Sequence, residues 1–134
     1  MLCDTDVFSR VFVQERRDET GEAWQELLEG RTIAIAFQTE AELRIWPRLG
    51  GWKEKRTTKL LEKIESVARI PANERVLTAF VNLTVWSNEN AAAMHQKVHV
   101  GDRWVAATAM AYDLELAAID GIYDGVAALR LIKP

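Results

Sequence analysis

The sequence predicts an α/β fold in which a mostly parallel sheet lies between layers of helices. Two observations carry this prediction. Short apolar segments alternate along the chain with longer segments that have the apolar spacing of helices. The clearest apolar segment, TIAIAF at residues 32–37, is continuous and does not alternate with polar residues, as is typical of strands covered on both faces.

Five strands are expected. TIAIAF is short, apolar and rich in residues that favour strands, and its length suits a buried strand. The other predicted strands are residues 1–3, 69–70, 115–119 and 129–132. The first of them stops at once on two acids, Asp4 and Asp6. This end of the chain is therefore either an ordinary turn or the first part of a site.

Six helices are expected between and after these strands. They are residues 7–15, 21–29, 40–49, 54–67, a long helix from the N-cap Asn73 to about residue 87, and residues 102–112. Gly30 is expected to end the second helix. Pro47 is expected to bend or end the third, ahead of Gly50 and Gly51. An asparagine before a periodic apolar segment is a good N-cap because its side chain can accept a first-turn amide hydrogen.

Composition limits the class of protein. At 134 residues the chain is expected to form a single domain, 1–134, and its net charge of −3 argues against a protein that coats nucleic acid by bulk electrostatics. No apolar run approaches the ~20 residues of a membrane helix, and no basic segment followed by an apolar stretch begins the chain. The single cysteine, Cys3, cannot form an internal disulfide and is expected to pack as a small apolar residue. A cytoplasmic location without membrane attachment is therefore expected.

The charge is distributed unevenly. Residues 44–63 contain seven basic and two acidic residues, a balance of +5, whereas the rest of the chain carries −8. Such a segment is either a solvated basic helix or a surface that contacts a polyanion. Within it Trp46 and Trp52 are candidates for contact with RNA bases, whereas Trp24 and Trp104 lie in amphipathic segments and are expected in the core.

Four acids are predicted to meet at one edge of the sheet. Asp4 and Asp120 follow predicted strands, Glu42 lies in the first turn of the helix after TIAIAF, and Asp102 opens the last predicted helix. In an open parallel sheet, ligands bind beyond the carboxyl ends of the strands. The strand-end acids point to that edge, and the helix acids can converge there.

Each acid also has a purely structural explanation. Thr39 and Glu42 match a capping box, in which the two side chains bond the amides at the start of a helix. Asp102 after Gly101 is a good N-cap, and Asp120 begins an Asp-Gly turn. Taken singly, each position is better explained by these local roles than by chemistry.

The combination favours a metal site. Two carboxylates ~4 Å apart repel each other by about 4 kcal/mol at an effective dielectric constant of 20, so several can converge only with protons or a cation. Ligands that are all oxygen select Mg²⁺ or Mn²⁺. A hard divalent ion held in this way suits the hydrolysis of phosphodiester bonds.

The chain resembles the PIN domain, and more narrowly the VapC-type toxin ribonucleases of toxin–antitoxin pairs. The resemblance lies in CDTDVFS at the start, AFQTEAELR near residue 40, GDRWVAATAMAYDLELAAID from residue 101, and LRLI near the end. It implies a PIN-like three-layer fold with a mostly parallel sheet flanked by helices. It also places the site acids at Asp4, Glu42, Asp102 and Asp120, with the hydroxyl of Thr5 orienting the first-strand acid.

The sequence departs from the family pattern at two positions. Asp6 stands where asparagine is usual, which adds a negative charge near the site, and Ala118 stands where threonine or serine is common. Neither change removes one of the four main acids. An active nuclease is expected, although these departures keep open a non-catalytic PIN-like regulator that binds a partner protein or RNA without cleavage.

The resemblance implies an Mg²⁺- or Mn²⁺-dependent endoribonuclease that acts as the toxin of a type II pair. It also implies a homodimer and a VapB-type antitoxin that wraps the toxin and blocks the acidic pocket. Contact with RNA or with this partner is expected in the basic segment, at Arg44, Arg48, Trp52, Lys53, Lys55 and Arg56.

Other site patterns are weak or absent. His95 and His99 have the spacing of two zinc ligands on a helix, but no third ligand or HExxH pattern accompanies them. The chain has no GxxxxGK[ST] loop and no GxSxG elbow. These absences argue against a nucleotide-binding P-loop protein and a serine hydrolase.

Overall fold

All 134 residues are described by a computed structural model, and their strands form one parallel sheet. The strands are β1 (Leu2–Cys3), β2 (Ala34–Ala36), β3 (Ala68–Ile70), β4 (Leu116–Ala117) and β5 (Leu131–Ile132). Their order across the sheet is β3-β2-β1-β4-β5, and all four neighbouring pairs are parallel. Cys3 is in register with Ile35 on one side and Ala117 on the other, so the carboxyl ends of the three central strands lie side by side.

Six α-helices surround the sheet. They are α1 (Thr5–Phe8), α2 (Glu19–Leu28), α3 (Phe37–Leu49), α4 (Glu54–Glu65), α5 (Glu74–Glu89) and α6 (Val100–Ala111). A π-helical segment, Ser9–Val13, continues α1, and three short 3₁₀ turns lie at Ala93–His95, Lys97–His99 and Gly121–Tyr123. None of these helices is both long enough and apolar enough to cross a membrane.

Two apolar cores, one on each face of the sheet, confirm the predicted layers. Successive residues of β1 point to opposite faces: Leu2 belongs to one core and Cys3 to the other. The first core is completed by α5 and the alanine-rich α6, and the second by α1 to α4. Burial raises the pKa of the Cys3 thiol to about 12, with Asp4 adding to the effect, so Cys3 packs as the expected small apolar residue.

The predicted starts of four helices, α1, α2, α3 and α6, were two or three residues later than the observed ones. The first helix was expected at residues 7–15, but α1 begins at Thr5, where the Asp4 carboxylate accepts the Val7 amide hydrogen. The third was expected at residues 40–49 with Thr39 as its cap. Instead α3 begins at Phe37, and Thr39 lies fully buried inside it.

Two further expectations need correction. Pro47 does not end α3, because the helix continues to Leu49. The last turn is closed by a hydrogen bond from the Gly50 amide to the Trp46 carbonyl. Asp102 is not the N-cap of the last helix. That helix begins at Val100, after His99, and Asp102 lies in its first turn.

The predicted cap Asn73 is confirmed, and its removal is expected to destabilise the fold. Its side-chain oxygen accepts the Val76 amide hydrogen at 3.0 Å. Asn73→Ala should lower the free energy of unfolding by about 1 kcal/mol in urea denaturation, because the first-turn amide loses its partner. Asn82→Ala, a change in the exposed middle of the same helix, should be neutral or slightly stabilising. Equal losses in the two variants would contradict this role for Asn73.

Candidate active site

A pocket of about 220 Å³ lies at the carboxyl edge of the sheet, and five carboxylates line it. They belong to Asp4, Asp6, Glu42, Asp102 and Asp120. Thr5, Trp46, Val105 and Tyr123 complete the wall. The structure therefore brings together all four acids predicted from the sequence, together with Thr5 and the extra acid Asp6.

Asp4 is the most buried of these acids, with 5% of its surface exposed. It follows β1 directly, and its Oδ1 accepts the Val7 amide hydrogen at 2.8 Å. Burial raises the pKa of Asp4 from an ordinary value of 3.8 to about 7; the Val7 amide opposes this rise, and Asp6, Asp102 and Asp120 add to it. Near neutral pH this carboxyl group is therefore protonated in only part of the molecules. A cation in the pocket would lower its pKa and favour the charged form.

Glu42 is held by two donors, and neither belongs to a helix cap. Thr5 Oγ1 donates to Glu42 Oε2 at 2.5 Å, and Gln38 Nε2 donates to Oε1 at 3.0 Å. The predicted capping box was therefore wrong, because the Glu42 carboxylate faces the pocket. Thr5 contacts Glu42 and Thr39, so its hydroxyl orients the helix acid and not the strand acid Asp4.

Helices α3 and α6 approach each other closely at Gly101. A Cβ atom at this position would lie 3.0 Å from Gln38 Nε2 and 3.4 Å from Glu42 Oε1. The start of α6 therefore packs tightly against the hydrogen-bonded Gln38–Glu42 pair, and a side chain at residue 101 would push one of these two side chains aside. This close packing places Asp102, the next residue, beside Glu42 in the pocket.

Both oxygens of Asp102 have partners. The Tyr123 hydroxyl donates to Oδ1 at 3.3 Å, and His99 Nδ1 lies 3.2 Å from Oδ2. Tyr123 is 2% exposed, and burial raises its pKa far above the usual range, with Asp102 adding to the effect. The phenol is therefore neutral and acts as the donor to the carboxylate.

Asp120, the acid that follows β4, both caps a turn and lines the pocket. Its Oδ1 accepts the Ile122 amide hydrogen at 2.9 Å and so caps the turn Gly121–Tyr123, as the Asp-Gly pair indicated. Asp120 also lines the pocket. Ala118, by contrast, is completely buried in the first apolar core.

The chemistry of the donor set fits a hard divalent ion. All five acids offer carboxylate oxygens, which are the ligands that Mg²⁺ and Mn²⁺ prefer. No three His, Cys, Asp or Glu side chains are placed closely enough to hold a metal ion in this structure. Some of these carboxylates would therefore have to move closer together to share an ion, and the attraction of each one to the cation favours that movement.

Several residues beside the acids were not predicted for this pocket, and Trp46 was predicted only for contact with RNA bases. Gln38 and Trp46 lie one turn before and one turn after Glu42 on α3, a spacing that could have identified them. The sequence pattern relates His99 only to His95, and not to Asp102. The two histidines lie in separate 3₁₀ turns, and His95 contacts the Ala92 carbonyl.

The basic segment forms a helical hairpin in which a turn joins α3 to α4. The residues predicted to bind RNA or a partner lie in separate parts of this hairpin. Trp52, Lys53, Lys55 and Arg56 line one cavity of about 450 Å³ at the turn, together with Lys59. The Arg56 guanidinium lies 3.6 Å from the centre of the Trp52 ring. These residues form a single surface, which we call the hairpin tip.

The other two residues predicted to bind RNA or a partner lie apart from the hairpin tip. Arg44 is bound to Glu40 at 2.9 Å and faces a different cavity next to Arg69, whereas Arg48 is exposed on α3. Among the tryptophans, Trp24 is buried in the core as expected. The ring of Trp104 stacks on Phe80 with 3.7 Å between ring centres.

Comparisons with known proteins agree on the fold. VapBC2 from Rickettsia felis, solved bound to a promoter DNA fragment, is 18% identical with a TM-score of 0.77, covering 98% of this chain and 96% of that chain. FitAcB from Neisseria gonorrhoeae is 22% identical with a TM-score of 0.76 and the same coverage. VapBC-5 from Mycobacterium tuberculosis, a member of the VapBC family of toxin–antitoxin systems, is 22% identical with a TM-score of 0.67, covering 99% and 97%.

At these identities the solved structures bear on the fold alone. No curated protein matches the sequence. The sequence itself matches the PIN domain over residues 1–129, which is nearly its whole length. The chain belongs to the PIN domain family.

Proposed function

We propose that this protein is an Mg²⁺- or Mn²⁺-dependent endoribonuclease and the toxin of a type II toxin–antitoxin pair. The observation that carries the proposal is the convergence of Asp4, Glu42, Asp102 and Asp120 in one pocket of a PIN domain. PIN domains are generally nucleases. The proposed reaction is hydrolysis of an RNA phosphodiester bond, in which water attacks phosphorus and the 3′ oxygen departs.

In this proposal the four acids would hold the metal ion, and other residues set the orientation of the acids. A bound divalent ion supplies a Lewis acid for the phosphoryl oxygen and lowers the pKa of water. Thr5 and Gln38 hold the carboxylate of Glu42 toward the pocket. Asp4 uses Oδ1 for the Val7 amide, which leaves Oδ2 as the oxygen that can face a ligand.

The proposed RNA-binding surface is the hairpin tip, which follows the helix that carries Glu42 of the acid pocket. Five carboxylates repel a phosphate backbone, so an RNA strand needs positive charge next to the site. The hairpin tip supplies that charge, and Trp46 connects the two regions because it lines the acid pocket near the end of α3. Lysines there would bind phosphates, while Trp52 and Arg56 offer a stacking surface for bases.

Removal of two lysines from the hairpin tip is expected to weaken RNA binding. For Lys55→Ala combined with Lys59→Ala, the slope of log affinity against log salt should become shallower by about 0.7 for each phosphate that is no longer neutralised. Fluorescence titration of single-stranded RNA in EDTA measures binding without cleavage. Arg31→Ala is the matched control, because Arg31 precedes β2 and pairs with Glu115 at the opposite edge of the sheet. An unchanged salt slope in the double variant would contradict this assignment.

We also propose a VapB-type antitoxin and a second copy of the chain as partners. The solved neighbours include a member of the VapBC family of toxin–antitoxin systems, which supports the antitoxin. A basic side chain from such a partner would neutralise the pocket. On α5 an apolar stripe of Leu77, Val81 and Val85, each about half exposed, is available to a second copy. A small antitoxin-like reading frame directly upstream of the gene would support the pairing.

A non-catalytic PIN-like regulator is the second candidate. It is favoured by the additional charge of Asp6 in the pocket and by Ala118, which stands where the family commonly has threonine or serine. The two candidates predict different behaviour of the purified protein in Mg²⁺ or Mn²⁺. Tight binding of the antitoxin without any cleavage of RNA would favour the regulator.

A further inference from the structure

One short turn of the chain touches two acids of the pocket. Asp120 begins the turn Gly121–Tyr123 and caps it by accepting the Ile122 amide hydrogen. Tyr123 ends the turn, and its hydroxyl reaches back to Asp102 Oδ1. The same turn therefore sets the position of a strand-end acid and of an acid on α6.

The ring of Tyr123 is fixed by its surroundings. It is 2% exposed and belongs to the same buried apolar cluster as Met94, Val105 and Val126. Val105 and Tyr123 also line the acid pocket. A rigid ring delivers its hydroxyl to one place, so the hydrogen bond constrains the carboxylate of Asp102 instead of following its movements.

We propose that Tyr123 is a positioning residue that holds the Asp102 carboxylate in its metal-binding orientation. The inference rests on the proposed function, in which Asp102 binds a divalent ion. Residues that hydrogen-bond a metal ligand limit its rotation, and their removal typically weakens metal affinity by roughly 10- to 100-fold. Nothing in the sequence marks Tyr123 for this role, because its partner lies on a different element.

The test is the affinity for Mn²⁺, measured by isothermal titration calorimetry without RNA. Tyr123→Phe keeps the ring in the apolar cluster and removes only the hydroxyl, and we expect its Mn²⁺ affinity to fall about tenfold. Tyr123→Met, which also lacks the hydroxyl, should show the same loss. Tyr112→Phe is the matched control, since the Tyr112 hydroxyl contacts Asn73 outside the pocket, and its affinity should equal that of the wild type.

A double-mutant cycle separates positioning from general damage to the fold. In an Asp102→Ala background, Tyr123→Phe should cause less than about a twofold further loss, because alanine leaves the Tyr123 hydroxyl no carboxylate to hold. Wild-type affinity in Tyr123→Phe, or an equal loss with and without the Asp102 carboxylate, would overturn the role of Tyr123 alone. Absence of Mn²⁺ binding in the wild type would overturn the metal-dependent function and this inference with it.

Discussion

Replacing Asp4 with asparagine is expected to stabilise the metal-free protein at pH 8 and to abolish RNA cleavage. The pKa of Asp4 is about 7 in the folded state against an ordinary value of 3.8. A carboxyl group whose pKa is raised by folding binds its proton more tightly in the folded state. Asp4 therefore makes the wild type less stable as the pH rises from about 4 to about 7. Above pH 7 its contribution to the free energy of unfolding no longer changes with pH.

The size of this effect follows from the pKa difference. With a pKa difference of about three units, the charge on Asp4 lowers the free energy of unfolding by up to about 4 kcal/mol above pH 7. Well below pH 4 Asp4 is protonated in both the folded and the unfolded state, and this loss disappears. Asparagine keeps an oxygen that can accept the Val7 amide hydrogen, so the N-cap of α1 is retained. The gain in Asp4→Asn should therefore be large at pH 8 and absent near pH 4.

Urea denaturation in EDTA at pH 4, 6 and 8 measures this difference. The matched control is Asp6→Asn, which removes an exposed acid of the same pocket and should change the free energy of unfolding by less than about 1 kcal/mol. Saturating Mg²⁺ should stabilise the wild type but not Asp4→Asn. A variant that is no more stable than the wild type at pH 8 would show that burial of the Asp4 charge costs the fold nothing.

The second large effect is expected at Asp102. Asp102→Asn keeps the shape of the side chain and an acceptor for Tyr123 but removes a negative charge from the proposed metal site. A metal ion contributes several kcal/mol of transition-state stabilisation, so we expect kcat to fall by about 10³-fold, equivalent to about 4 kcal/mol.

Asp113→Asn is the matched control for this change. Asp113 lies just beyond the other end of the same helix, and its side chain is 92% exposed. Its kcat should stay within about twofold of the wild type, measured by cleavage of a labelled single-stranded RNA under saturating metal. A similar loss of kcat in both variants would mean that the lower kcat of Asp102→Asn is not caused by a change in the acid pocket.

The fold could be predicted because its signals are local. TIAIAF contains the observed β2, and the short apolar segments at both ends of the chain contain β1 and β5. Helix starts were harder, because a capping motif does not show where the helix begins, and α3 begins after Ala36 with no side-chain cap. Thr39 matched a capping motif, yet burial placed it inside α3, where its hydroxyl meets that of Thr5.

The acids could be predicted to converge for a topological reason, whereas their partners could not. The carboxyl ends of parallel strands share one edge, so Asp4 and Asp120 had to lie near each other once the sheet order placed β1 beside β4. The bonds from Tyr123 to Asp102 and from Thr5 to Glu42 join different elements. Such bonds depend on side-chain packing across the fold, which spacing along the chain does not encode.

The pairing of Arg44 could not be predicted either, because it also depends on contacts within the folded structure. The sequence shows one continuous basic segment, but Glu40 lies one turn before Arg44 on α3 and binds its guanidinium. Arg69, which lies on β3, joins the same carboxylate at 3.5 Å. The charge of a segment cannot show which of its cations are already paired.

The most direct test of the central claim is cleavage of single-stranded RNA by the purified protein before and after removal of divalent metal. We expect cleavage in Mg²⁺ or Mn²⁺, its loss in EDTA, and its return when the metal is restored. Asp102→Asn, prepared in the same way, should stay inactive throughout, which excludes a contaminating nuclease. Cleavage that persists both in EDTA and in Asp102→Asn would contradict a metal–carboxylate mechanism in this pocket.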